Sequence, residues 1–189
     1  MSLRLHLGDR SKDERSLVAY LGAALTKLPF ERVIDLGDQE APWLEEPSTK
    51  RQDVLPILDR LAELAAPRLL WPSAGARADA EEALRGFAQL RQACPFGLLA
   101  QANTRPAPAE LQLLDARWCA WRSAHPAGRF LLGEQCGLDV VFAPLAWRVV
   151  RDSLAVSEAA RSYAQAMVAT PVFQRWAEAA AEDARPRAR

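Results

Sequence analysis

Net charge is what this chain most plainly lacks: its 24 basic and 24 acidic residues cancel, and the isoelectric point lies near 6.7. Such a balance creates no strong field to gather nucleic acid or anionic lipid, so no nucleic-acid partner is expected. Cysteine is scarce. Cys94, Cys119 and Cys136 are odd in number and far apart, with no Cys-x-x-Cys, which suggests neither a disulfide framework nor a zinc site. His6 and His125 are the only histidines, one in a predicted strand and the other ahead of Pro126 at a predicted helix end; structural roles are expected for both, and no metal. No apolar run approaches the roughly 18 residues of a membrane span. The N-terminal HLGDRSKDER is charged where a signal peptide would be apolar, so the expectation is a cytoplasmic protein with no membrane partner. Lysine is confined to Lys12, Lys27 and Lys50, a bias that carries no functional meaning.

What is present is enough apolar material for a sizeable core, 50% of 189 residues, as one domain or as two small ones packed together. Leu3, Leu5 and Leu7 alternate with Arg4 and His6, the period of a short strand with one buried face, ended by Gly8. Leu17, Tyr20, Leu21, Ala24, Leu25 and Leu28 then recur at helical spacing. Two start signals compete for this helix: Ser11 with Glu14 as a capping box, and Asp13 as a cap in its own right. Leu28-Pro29 closes it, and Phe30 to Leu36 reads as a second strand, making a β-α-β unit. Gly37 to Gln52, with Pro42, Pro47 and several charges, shows neither period and reads mostly as loop. Asp53 is a plausible cap for a further helix, with Pro56 in its first turn and Leu58, Leu61 and Leu64 on its apolar side.

The second half is helical throughout. A proline-bounded segment, Pro67 to Gly75, precedes a predicted long helix over Arg77 to Phe96, whose Ala80, Ala83, Leu84, Phe87, Leu90 and Cys94 share one face and which Pro95 should stop. After a loop with Pro106 and Pro108, Leu111, Leu114, Trp118 and Trp121 mark a helix over Ala109 to Ala124, expected to pack antiparallel on the long one. Gly128 to Gly137 reads as a turn, Leu138 to Val150 as a helix kinked at Pro144, Ser157 as the cap of the next helix, and Thr170-Pro171 as the start of the last.

Several stretches of this plan are similar to one family. Leu70-Trp71-Pro72 is followed by Glu82, Gly86, Phe87, Leu90, Arg91, Cys94 and Pro95 in the spacing E-x-x-x-G-F-x-x-L-R-x-x-C-P. FLLGEQCGLDVVFAP (130–144), TPVFQRWAEAA near the end and DVLPILDRLAE (53–63) extend the likeness. On these motifs the chain resembles the bacterial glutathione transferases. The resemblance implies an α/β plus all-α fold: a truncated thioredoxin-like β-α-β half over residues 1–66, a linker at 67–75, an all-helical bundle at 76–184 and a solvated tail at 185–189. It also implies a structural, buried Asp139, although the usual Ser or Thr cap before it is replaced by Cys136.

For function the resemblance is selective. In the family a helix, a strand opening with a cis-proline and another strand follow strand two, but Gly37 to Gln52 has room for one short strand at most, and no cis-proline counterpart is evident beyond Pro47 and Pro56 in name. Asp53 matches the acidic residue that binds the γ-glutamyl end of glutathione, while Val54 replaces the serine beside it. Where similar sequences carry Ser-Ser-Trp-Ser for thiolate activation, this chain has Asp13-Glu14-Arg15-Ser16, leaving Ser11 or Ser16 to act catalytically. The expectation is therefore a glutathione-transferase-like binding or interaction protein with a degenerate glutathione site, working as a homodimer with exposed Trp43 as a contact. The alternative is an active transferase, with glutathione as co-substrate and a small hydrophobic ligand held in a cleft lined by Tyr20, Phe87 and Trp118.

Overall fold

The computed structural model describes residues 3–35, 41–65, 70–97, 102 and 108–183. These gather into two compact units. The first is built on strand β1 (Leu3–Leu7), which pairs in parallel with β2 (Phe30–Ile34) and antiparallel with β3 (Trp43–Glu46), which in turn pairs antiparallel with β4 (Thr49–Gln52). The sheet order is β2-β1-β3-β4. Helix α1 (Glu14–Thr26) joins β1 to β2, and α2 (Val54–Leu64) follows β4. The leucines of β1 are buried as their alternation requires, and Leu17, Leu21, Leu44, Ile57, Leu58 and Leu61 complete the core beneath them. This mixed sheet with flanking helices is thioredoxin-like.

The stretch expected to be mostly loop, with one strand at most, instead forms a complete hairpin. Residues 36–40, including the end of the predicted second strand, lie outside the described residues. From Trp43 onward, two four-residue strands close around a Pro47-Ser48 turn. The inward positions of β3 are Leu44 and Glu46, so a carboxylate hides the alternation a buried strand would normally show. Glu46 is accommodated because Arg60 of α2 donates to it at 2.8 Å and Arg51 of β4 at 3.3 Å. The Ala41–Pro42 peptide ahead of β3 is cis, so the cis-proline with no evident counterpart in the sequence is Pro42, not Pro47 or Pro56. β2 ends at Ile34 and β3 begins at Trp43, and among the described residues between them there is no helix.

The second unit contains α3 (Ala74–Arg85), α4 (Ala88–Ala93), α5 (Pro108–Ala124), α6 (Gly137–Arg151) and α7 (Glu158–Val168). The long helix expected over Arg77 to Phe96 is two helices, broken at Gly86-Phe87, where Phe87 takes φ 60°. Both ends at the break have partners. Arg91 donates to the carbonyls of Ala83 (3.1 Å) and Gly86 (3.2 Å), and the Glu110 carboxylate accepts the Leu90 N–H at 2.7 Å. Burial of the Phe87 ring offsets a left-handed backbone that costs about 1–2 kcal/mol. Nor does α5 pair with a single long helix: its main partners are α7 and α4, whereas α3 packs on α6. The cause lies in α6, which is buried on nearly all sides from Gly137 to Ala146 and takes the centre of the unit. Arg148 of α6, itself buried, donates to the Cys94 carbonyl, and Arg151 donates to that of Pro95 at 3.0 Å, which anchors the Cys-Pro pair.

Asp139 is fully buried and accepts the N–H groups of Leu131 and Cys136, both at 2.9 Å. Burial raises its pKa, and burial also pushes the Cys136 thiol up to about 12, with the Asp139 charge adding to the effect. Ser157 caps α7 by accepting from the Ala160 N–H. The last helix, α8 (Pro171–Asp183), belongs to the first unit: Arg10 forms a two-pronged pair with Asp183, and Tyr20 lies 5.2 Å from Trp176. Pro106, the first residues of the predicted linker and the predicted tail lie outside the described residues.

Candidate functional site

The chemistry-bearing residues of the first unit converge where β1 ends and α1 begins. Asp13 is the N-cap of α1: its carboxylate accepts the Arg15 N–H at 3.0 Å and the Ser16 hydroxyl at 2.5 Å. Of the two competing start signals, Asp13 therefore prevails. Ser16 is fully buried and accepts the Gly8 N–H at 2.8 Å, tying the end of β1 to the start of the helix. Gly8 is closely hemmed in. A Cβ there would lie 2.8 Å from an Asp13 carboxylate oxygen and 3.4 Å from Cβ of Ala41, so β1, α1 and the Ala41-Pro42 segment meet at this point.

Ser11 lies ahead of the helix, and its N–H (2.8 Å) and hydroxyl (2.6 Å) both donate to Asp9. Partial burial alone would raise the Asp9 pKa, but the Ser11 hydrogen bonds and the charge of Lys12 outweigh it and hold the carboxyl below its usual range. The Ser11 proton is thus committed to a carboxylate. Asp53 sits just before α2 with φ 69° and a side chain 70% exposed. It caps α2 through its backbone carbonyl, which accepts from Ile57 at 3.2 Å, and not through its side chain. That side chain meets the guanidinium of Arg15, so the starts of α1 and α2 are joined by an exposed ion pair. The structure therefore brings Asp13, Arg15 and Asp53 together, with Ser16 beneath the surface and Ser11 turned to Asp9. Arg15 escaped the sequence reading because its role depends on a partner 38 residues away.

Other expected surface residues are occupied in packing. Tyr20 is buried in the first unit, and Phe87 and Trp118 are buried in the second, both against Phe142, so each of these aromatics is a core residue of its own unit. Trp43 is half-buried where an exposed anchor was expected. The His6 ring stacks on it at 3.3 Å, and the Lys50 ammonium lies 4.0 Å from its ring centre. Among the described residues, no group of three or more His, Cys, Asp or Glu side chains is placed to hold a metal ion.

No family model matches the sequence, and no curated protein matches it. Solved structures do match. A glutathione transferase homolog from Burkholderia gl BGR1, with bound glutathione, superposes with a TM-score of 0.76 at 18% identity, covering 98% of this chain and 100% of that one. The fold is that of the glutathione transferases. The Tau class glutathione S-transferase of mango gives a TM-score of 0.65 at 16% identity over 96% of both chains. Maleylacetoacetate isomerase from Anaeromyxobacter dehalogenans gives 0.64 at 21% identity, over 98% of this chain and 95% of that one. In this chain the Arg15 N–H at the start of α1 faces a carboxylate supplied by the chain itself, that of Asp13.

Proposed function

We propose that this glutathione-transferase-fold protein binds glutathione, or a small peptide of the same zwitterionic character, and does not conjugate it. The observation that carries this reading is Asp13. A site that activates a thiol stabilises its thiolate with the positive end of a helix and a hydroxyl or thiol donor. Here Asp13 already accepts from the start of α1, and the protons of Ser16 and Ser11 go to Asp13 and Asp9. A second anion beside these carboxylates is disfavoured.

Recognition is a separate matter. The Arg15–Asp53 pair presents a cation and an anion side by side at the surface, complementary to the carboxylate and ammonium of a γ-glutamyl end. Asp53 would meet the ammonium and Arg15 the carboxylate. The homodimer rests on the resemblance alone, and sedimentation over a range of protein concentrations tests it.

The experiment is calorimetric titration with glutathione, followed by a conjugation assay with a reactive aryl halide. The expected result is binding at about millimolar Kd or tighter, equivalent to about −4 kcal/mol, without turnover. Binding should weaken in Asp53→Asn. Turnover that disappears in Ser11→Ala or Ser16→Ala would overturn the proposal in favour of an active transferase, and absence of binding would remove glutathione as the ligand.

A further inference from the structure

The sheet of the first unit has a second face. Leu3, Leu5 and Leu7 of β1 and Leu44 of β3 are buried, so the alternate residues of each strand stand on the other side. The pairing register lines those residues up across all four strands. One row runs Glu31 (β2), Arg4 (β1), Glu45 (β3) and Lys50 (β4), and the row beside it runs Val33, His6, Trp43 and Gln52. The first row alternates in charge from one edge of the sheet to the other, beginning with a carboxylate and ending with an ammonium. It is open to solvent: the side chains of Glu31, Arg4 and Glu45 are 57, 52 and 41% exposed, and Lys50 is exposed as well.

Within the chain this row is already paired. Arg4 lies 2.9 Å from Glu31 and 3.8 Å from Glu45, whose carboxylate also meets His6 at 3.1 Å. Exposed pairs of this kind contribute little singly and more as a network. The order of the charges has a geometrical consequence. A half-turn about an axis parallel to the strands, midway between β1 and β3, reverses the row and lays a second copy of it on the first. Glu31 then faces Lys50 of the second copy, and Arg4 faces Glu45 of the second copy, each contact occurring twice. In the neighbouring row the His6–Trp43 stack, with ring centres 3.3 Å apart, meets the same stack turned over. A half-turn about an axis running along the row instead sets Glu31 against Glu31 and Arg4 against Arg4. Of the two, only the first arrangement pairs every charge.

We propose that this face docks on the same face of a second copy of the chain, with the strands of the two sheets running in the same direction. The occupant follows from the charges. A face whose pattern is its own complement favours another copy of itself over a partner carrying charge of one sign. Each cation then has a carboxylate beside it in its own sheet and another opposite it, while Val33 and Trp43 supply the apolar part of the contact. Four strands about 4.8 Å apart span only about 14 Å, so the contact is small and a Kd between about 1 μM and 1 mM is expected. The inference rests on the homodimer proposed above and assigns it a surface; glutathione binding does not enter it.

The test is sedimentation equilibrium of the full chain at concentrations up to about 1 mM, for wild type, Glu31→Lys, Lys50→Glu and an equimolar mixture of the two variants. The expected result is a wild-type dimer that each variant alone weakens about tenfold or more, because like charges then face each other, and that the mixture restores to within about threefold of wild type. Both positions are exposed, so the variants should fold. The mixture decides the matter. Glu31→Lys loses its in-chain pair with Arg4 whether or not the other variant is present, so recovery can come only from the other copy. A zero-length carbodiimide cross-link between Glu31 and Lys50 is also expected, since the two stand at opposite edges of one sheet, too far apart for a direct amide, and meet only between copies. A dimer that neither substitution weakens, that the mixture does not restore, or that gives no such cross-link would overturn this surface and leave the homodimer to form elsewhere. A monomer at about 1 mM would overturn both.

Discussion

Replacing Asp13 by Asn tests the central electrostatic claim with little change of shape. Asn is as good an N-cap as Asp, so α1 should still start at Glu14. Asp13 accepts from both Arg15 and Ser16 through its two oxygens, and Asn keeps only one acceptor, so a stability loss of about 1 kcal/mol is expected. The larger effect is on charge. Two unit charges about 5 Å apart interact by about 1 kcal/mol in water and about 3 kcal/mol at an effective dielectric constant near 20. At about 1.4 kcal/mol per pKa unit, removing the carboxylate should lower the pKa of a bound thiol by roughly one to two units. The assay is titration of thiolate ultraviolet absorbance for glutathione bound to wild type and to Asp13→Asn. Wild type should leave the thiol at or above its free value, and the variant should bring it down. A wild-type bound thiol ionising well below the free value, or no difference between the two proteins, would refute the reasoning.

Three further outcomes follow from the geometry. Hydrogen bonds from Arg60, opposed by burial and aided by Arg51, hold the Glu46 carboxyl below its usual range. A carboxyl with a depressed folded-state pKa stabilises the fold above its unfolded value, near 4.3, and loses that contribution as pH falls through the folded one. Denaturation midpoints between about pH 3 and 6 should therefore fall on the acid side in wild type and fall less in Glu46→Gln; parallel profiles would count against the buried pair. Gly8→Ala forces a Cβ to within 2.8 Å of the Asp13 carboxylate, so a loss of about 1–3 kcal/mol in chemical denaturation is expected, and an unchanged midpoint would show that the three segments do not meet closely. With its thiol buried and pushed up to about 12, Cys136 should resist alkylation in the native protein at neutral pH, as should buried Cys94, while half-buried Cys119 reacts first. Native-state labelling of Cys136, read by peptide mass spectrometry, would contradict that burial.

Legibility in the sequence followed the length of the pattern. β1 and α1 announced themselves because Leu3, Leu5 and Leu7, and then Leu17, Tyr20 and Leu21, obey one period over enough residues to be distinctive. The β3–β4 hairpin did not. Its strands are four residues long, and one of the two inward positions of β3 is Glu46, whose partner Arg60 comes from a different element. The break at Phe87 was hidden for the opposite reason: the apolar spacing runs straight across it, since Phe87 and Leu90 are both buried. What divides the helix is Arg91 reaching back to α3 and Glu110 reaching in from α5, neither of which disturbs the periodicity.

The candidate site shows the same limit. Ser11, Ser16 and Asp53 could be named from local motifs, but local motifs do not say that Ser11 donates to Asp9, that Ser16 is buried beneath Asp13, or that Asp53 pairs with Arg15. The charge row across the sheet was out of reach altogether, because Glu31, Arg4, Glu45 and Lys50 come from four strands and line up only through their pairing register.

The sequence by itself determined that the chain has an α/β beginning and a helical remainder, that its charges balance, and that Asp13 and Glu14 stand at the start of α1. These are properties of composition and of short-range spacing, which each segment carries alone. The tertiary structure alone decided the second strand pair, the interruption at Phe87, the Arg15–Asp53 pair and the charge row across the sheet. The physical reason is common to all four. Each depends on a charge whose partner is settled by packing between distant segments, and such a charge leaves no periodic trace along the chain.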